Sequence, residues 1–438
     1  MVRLHNPKPR HRKLKIEKNR INVGLSQNRS AAAKFLIHSS YLLILILFFS
    51  ACGSKSHKQF DPQKVNFSAS LSPLYAGQLY PSLLLALNQA DTSLSVSLTA
   101  PANNAVLRIV VDSSAFNYVT ILQEILPSRG QTYTFHPSIK WKYDQLRLVR
   151  QHRPLDLTFS CYINDEEVDI ENLHLDIRSV NECPLSLRSP DGTVVDTRFL
   201  FAAYVNEEHP AIQQILSDIL DQGIVRKLQG YQSSRPSDVT DQAFAVWYYA
   251  LNRGISYSSI SCTPNPNPRA NVQHIRFFDE VHNTRQANCI DACVFLASIL
   301  RKIGLRPVIF VEPCHAYLGY YTDRKNKNIA LLETTITSWV NFPQLRRSLL
   351  PDGQLPEKEL DKISKYLTSN QLDDYRNRRI STDQVLLLVA RSLFDKASEY
   401  DRETYEANRD HFADPSNISY QQLDIQTLRQ QIQPITGE

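Results

Sequence analysis

The stretch that decides the reading is Gln286-Ala-Asn-Cys289-Ile-Asp-Ala-Cys293-Val-Phe-Leu-Ala-Ser-Ile-Leu-Arg-Lys-Ile-Gly304. Ile290, Cys293, Val294, Ala297 and Leu300 recur at helical spacing, and Gly304 follows where a helix-ending glycine belongs. Cys289 therefore falls in the first turn of a helix. Backbone N–H groups there lack intrahelical partners and the helix dipole presents its positive end, two influences that favour thiolate over thiol. Downstream, Pro307 opens an apolar strand at 308–311, and Pro313-Cys-His315-Ala-Tyr-Leu-Gly319 begins a second strand running from His315 to Tyr321. Asp323-Arg-Lys-Asn-Lys-Asn328 reads as a polar turn, and 329–335 returns as a third strand. A turn centred near residue 325 sets Glu333 opposite Tyr317 and diagonal to His315.

These three residues have the makings of a nucleophilic site. A thiol at a helix start can attack a carbonyl, an imidazole can take its proton, and a carboxylate can orient the imidazole. Cys at a helix start, then His-Ala-Tyr on a strand after Gly304-Leu-Arg-Pro307, then an acid on the next strand, resembles the transglutaminase-like branch of the papain-like thiol enzymes. The resemblance covers about 238–340. It implies Cys289 as nucleophile, His315 as base and Glu333 as orienter, with no cofactor and a protein or peptide as substrate. Family members more often carry Asp at the third position and Gly before the His, where this chain has Cys314. The run from Arg276-Phe-Phe-Asp-Glu280 to Glu333-Thr-Thr335 also looks like that of certain bacterial envelope proteins. For an oxyanion, the N–H of Cys289 is one natural donor. The family resemblance offers Trp247 or Gln286 as the second.

Two rival readings use the same residues. Cys289, Cys293, Cys314 and His315 supply four soft ligands of the kind structural zinc prefers, but without a Cys-x-x-Cys knuckle, and no metal is expected. The fold could also serve as a binding scaffold without chemistry, since a triad in the sequence does not establish an open cleft. Protein cross-linking is the alternative to hydrolysis, with an amine in place of water as the acceptor.

Outward from this segment the texture changes on both sides. Residues 66–195 carry period-2 runs: Leu94, Val96 and Leu98; Leu155, Leu157, Phe159, Cys161 and Ile163; Leu173, Leu175 and Ile177. Broken by Pro, Asn, Asp and Ser clusters, they predict an antiparallel β-sandwich acting as an accessory module. Cys161 and Cys183 are candidates for a disulfide there, with two buried thiols as the equal alternative. Helices are expected over 211–227 and 238–252, the second closed by Gly254. After about 345 the chain turns charged and helical, and Ser381-Thr-Asp-Gln384 is a capping box opening a long helix. The expected class is α+β, with the sandwich at 66–195, a transglutaminase-like core at 196–345 and a helical region at 346–438.

Composition closes off several functions. With 42% hydrophobic residues and only 12 glycines in 438, the chain has material for a core and no fibrous or low-complexity character. No apolar run reaches the ~18–20 residues of a membrane-spanning helix. The net charge of +5 is uneven: residues 1–51 hold ten Lys/Arg against Glu17 alone, leaving 39 basic and 43 acidic residues beyond them. A net of −4 outside that segment removes the electrostatic basis for nucleic-acid binding. Basic residues, the apolar run Tyr41 to Phe49, and Ser50-Ala51 before Cys52 resemble a lipoprotein signal, with 52–65 as a polar tether. The expected address is a bacterial cell envelope, lipid-anchored through Cys52. On that reading, mass spectrometry of membrane-extracted protein finds an acylated N-terminus at Cys52. A Cys52→Ser variant is released, and one that stays anchored refutes the anchor.

Overall fold

The computed structural model describes residues 65–87, 93–233, 235–259 and 268–436. The signal segment, Cys52 and Cys262 lie outside them. The architecture is mixed α/β with several sheets, and no described helix is long and apolar enough to cross a membrane.

The period-2 runs become strands as their spacing requires. Arg153–Ile163 and Glu166–Ile177 form a long antiparallel hairpin turning at Asn164 and Asp165, both at positive φ. It sits inside a five-stranded sheet ordered Gln78–Leu79, Glu166–Ile177, Arg153–Ile163, Ala105–Val111, Thr120–Leu126, antiparallel except for the first pair. Leu155, Leu157, Phe159, Cys161 and Ile163 are all buried, so one face of this strand is core. A second, antiparallel sheet joins Ser68–Leu71, Leu94–Thr99 and Thr132–Phe135, with Leu94, Val96 and Leu98 inward.

The third sheet departs from the expected boundary at 195. Glu182–Arg188 pairs with Val194–Asp196 on one side and with Ala270–His274 on the other. Backbone hydrogen bonds therefore tie the last strands of the amino-terminal part to the segment leading into the Cys289 helix. Cys161 and Cys183 end up in different sheets, opposite Ile109 and Gln273 respectively. The disulfide is not made: both are free, buried thiols, raised by desolvation, Cys161 to about 12. Both serve as small apolar side chains.

The central sheet is antiparallel and ordered Ile329–Leu332, His315–Tyr321, Pro307–Glu312, Gln421–Asp424. Its fourth strand comes from the far carboxyl-terminal part, which is otherwise helical. Glu312 pairs with His315 across a two-residue turn in which Cys314 takes φ +63. The Cys289–Lys302 helix packs against this sheet, the long helix Thr382–Tyr400 against its Ile329–Leu332 strand, and the helix Pro236–Arg253 against both of these helices. Ser381 and Gln384 form the expected capping box. The helix from Ala211 stops at Asp221, earlier than its apolar pattern suggests, because Gly223 turns left-handed.

Gly254 ends Pro236–Arg253 at φ +76, and a Cβ there would stand 2.7 Å from Pro343 Cγ. Left-handed backbone costs an L-residue roughly 1–2 kcal/mol before any clash. Gly254→Ala is expected to lower unfolding stability by at least that much, read as a lower urea midpoint with unchanged slope.

Candidate active site

Cys289 is the first residue of its helix, as the spacing required. Asn288 is the N-cap: its side chain accepts from Asp291 N–H at 2.9 Å, while Asp291 Oδ2 accepts from Asn288 N–H at 3.1 Å. Asp291 also takes the Arg276 backbone N–H at 2.8 Å and the Arg276 guanidinium at 2.7 Å. The carboxylate is fully buried; burial pushes it up, opposed by Arg276 and Asn288. This knot fixes where the helix starts and hence where the thiol sits. Sequence reasoning passed over it, although Asn-x-x-Asp is itself a capping pattern.

His315 leads its strand and is partly exposed. Its Nε2 lies 2.8 Å from Glu333 Oε2. The nearby Cys289 thiol foremost, then Glu333, raise the imidazole to about 10 against the opposing effect of burial. The ladder pairs Leu318 with Leu332 and ends there, in the register that a turn centred near 325 sets. Glu333 itself leaves the strand, which ends at Leu332, and caps the 3₁₀ turn Thr334–Ser338: its Oε1 accepts from Thr335 N–H at 2.7 Å. Burial pushes its carboxyl up, but the hydrogen bonds from His315, Thr335 and Asp401 prevail and hold it below the usual carboxylate range.

The three residues named from sequence are thus brought together. Thr334 braces them, its hydroxyl donating to the Cys289 carbonyl at 3.3 Å. Cys289 is partly exposed, Cys293 is buried one turn on, and Cys314 is exposed. The four-ligand zinc set does not gather. The single close grouping of His, Cys, Asp and Glu side chains among the described residues is His315, Glu333 and Asp401, within 4.8 Å of one another. Both Glu333 oxygens are engaged, one by the imidazole and one by Thr335 N–H, so the donor set fits a hydrogen-bonded chain rather than a chelate.

The oxyanion candidates fare differently. Trp247 is buried in the core against Phe394, with its indole N–H unpartnered. Gln286 is exposed on a short strand, parallel to Ser256–Tyr257, two residues before the N-cap. No described contact brings either side chain to the thiol. Around the site stand exposed aromatics that sequence reasoning did not single out. Trp339 and Tyr400, 47% and 59% exposed, meet edge-to-face at 6.1 Å, the first six residues after Glu333 and the second just before Asp401 in the chain. The Tyr257 phenol lies near enough to Cys289 and Glu333 to be raised by both, after burial.

Comparison with protein-family models, with curated proteins and with solved structures finds no match to this chain. The case for chemistry rests on the geometry above. Breaking a buried ion pair by removing one partner costs about 3–5 kcal/mol. Arg276→Ala is expected to destabilise the protein on that scale in urea unfolding, because it strands Asp291 at the start of the helix.

Proposed function

We propose that the chain is a thiol enzyme of the transglutaminase-like, papain-like kind, acting on an amide of a protein or peptide and most readily by hydrolysis. The observation that carries this is one imidazole set 2.8 Å from the buried Glu333 carboxylate and close enough to the Cys289 thiol for the two to act on each other. On this reading the strands before residue 178 form an accessory sandwich, and the Cys289 helix with the central sheet forms the catalytic core. The leader and Cys52 would hold the protein at a bacterial envelope surface, and no nucleic acid is involved.

The chemistry follows from the arrangement. His315 takes the proton of Cys289, and the thiolate attacks the amide carbonyl carbon. The Cys289 N–H, free at the helix start, faces the developing oxyanion. The imidazolium then gives its proton to the departing nitrogen as the C–N bond breaks, leaving a thioester. Water, deprotonated by His315, attacks that thioester, the C–S bond breaks and the thiol is restored. Glu333 stays ionised, holding the ring and balancing its charge. The exposed Trp339, Tyr400 and Tyr257 offer apolar surface for a peptide side chain, which favours a peptide over a small polar amide.

Brief alkylation with iodoacetamide at pH 6, followed by peptide mapping, tests the reading. Cys289 is expected to label first, ahead of Cys293, Cys262 and even the exposed Cys314. That last comparison separates activation from mere access. His315→Ala slows the labelling by about tenfold or more, and Glu333→Gln by less, because Glu333 orients the ring rather than carrying the proton. Equal labelling of all cysteines, or a Cys289 that labels only after denaturation, makes the molecule a binding scaffold. Products from a peptide library incubated with and without a primary amine separate hydrolysis from cross-linking.

A further inference from the structure

The triad leaves one buried group unexplained. Asp401 directly follows the long helix Thr382–Tyr400 and is 5% exposed. The helix's last turn reaches the site by a backbone bond, Glu333 N–H donating to the Ala397 carbonyl at 2.9 Å. That bond sets Asp401 beside Glu333, with Oδ1 3.8 Å from His315 Nε2. Its other oxygen, Oδ2, is buried and receives a hydrogen bond from no donor among the described residues. A buried carboxylate oxygen without a donor is costly, whereas a protonated one is itself a donor.

The groups around Asp401 include an acceptor for that proton. Charged or titratable side chains turned toward Asp401 are Glu333, Glu312, His315, Tyr317 and Cys293. Glu333 is the carboxylate grouped with it, an oxygen of each lying within 4.8 Å of the other and of the imidazole. Two carboxyls sharing a buried site cannot both ionise, and the one held by the imidazole keeps its charge.

We propose that Asp401 is a fourth member of the site, a positioning residue whose neutral carboxyl donates its O–H to Glu333 and sets that carboxylate against His315. The role builds on the thiol-enzyme reading, but the shared proton stands on the packing alone. Burial, then the bond to and charge of Glu333, raise Asp401 to about 8. Near neutral pH the folded protein therefore keeps a proton that the unfolded chain, with an ordinary aspartate at 3.8, has released. Stability from this residue is complete below about pH 4 and is lost as pH rises through about 8.

The test compares the full-length chain with D401N, which keeps a donor but cannot ionise, and D401A, which has none. In thermal melts, D401N is expected to gain steadily on wild type from about pH 4 to about pH 8, after which the gap stays constant. An Asp401 acting only as an ionised helix-end residue would give a gap that stops growing above about pH 5, and that result overturns the proposal. In alkylation of Cys289 at pH 6, D401N is expected to stay within about twofold of wild type and D401A to fall by about three- to fivefold, no further than Glu333→Gln. D401A reacting as fast as wild type, or D401N as slow as D401A, overturns the positioning role. If D401A does not fold, the comparison of D401N with wild type decides by both measurements. A wild-type Cys289 that does not react refutes the thiol-enzyme reading instead, and the melts still decide whether the proton is shared.

Discussion

A carboxylate with no exposed surface keeps its charge inside a protein only when partners replace the water it has lost, and Glu333 places that demand on everything near it. One oxygen is met by His315, the other by the first free N–H of its own 3₁₀ turn. Its backbone N–H is taken by a carbonyl left open in the last turn of the Thr382–Tyr400 helix. Strand, turn and helix thus meet at one residue, and the imidazole is fixed as a by-product. Aspartate, one methylene shorter, would reach the ring from here only with the backbone moved. The longer side chain and the early strand end at Leu332 go together.

The thiol is placed by a separate device with the same logic. Asp291 is a second buried carboxylate, and it too is met by a cap, a backbone N–H and a cation. One of these acids fixes the start of the Cys289 helix and the other fixes the ring that faces it. The geometry between the thiol and the ring then depends on how the helix lies on the central sheet, and the helix is buried from Ile290 to Leu300.

Local signals carried much of this into the sequence. The helix start at Cys289, the strand from His315, the capping box at Ser381 and the stop at Gly254 are set by chemistry within a few residues, and a spacing argument reaches them. The Glu333 register was legible because the turn at 323–328 is short and its centre could be guessed. What lay beyond reach is non-local. Asp401 stands 68 positions after Glu333 in the chain, in a stretch that reads only as the end of a charged helix. The boundary near 195 looked natural because the strand pattern stops there, whereas Glu182–Arg188 finds its partner at Ala270–His274. Cys161 and Cys183 both fall in or close to strand runs, and sequence has no means of assigning them to different sheets. Trp247 shows the converse limit, since an indole on a helix reads the same whether it faces a cleft or the core.

The strand Gln421–Asp424 lies against Val308–Val311, and Leu87 forms a bridge with Ile432, so residues near the carboxyl end are paired both with the central sheet and with the amino-terminal part. Contacts separated by more than a hundred positions form only once the intervening chain exists, and their loop-closure cost makes them slow. During synthesis, Cys289 and His315 leave the ribosome well before the helix that meets Glu333 and the strand that closes the sheet edge. A half-made chain therefore carries the thiol without the groups that arrange it. The arrangement around Cys289 is therefore completed only with the whole chain.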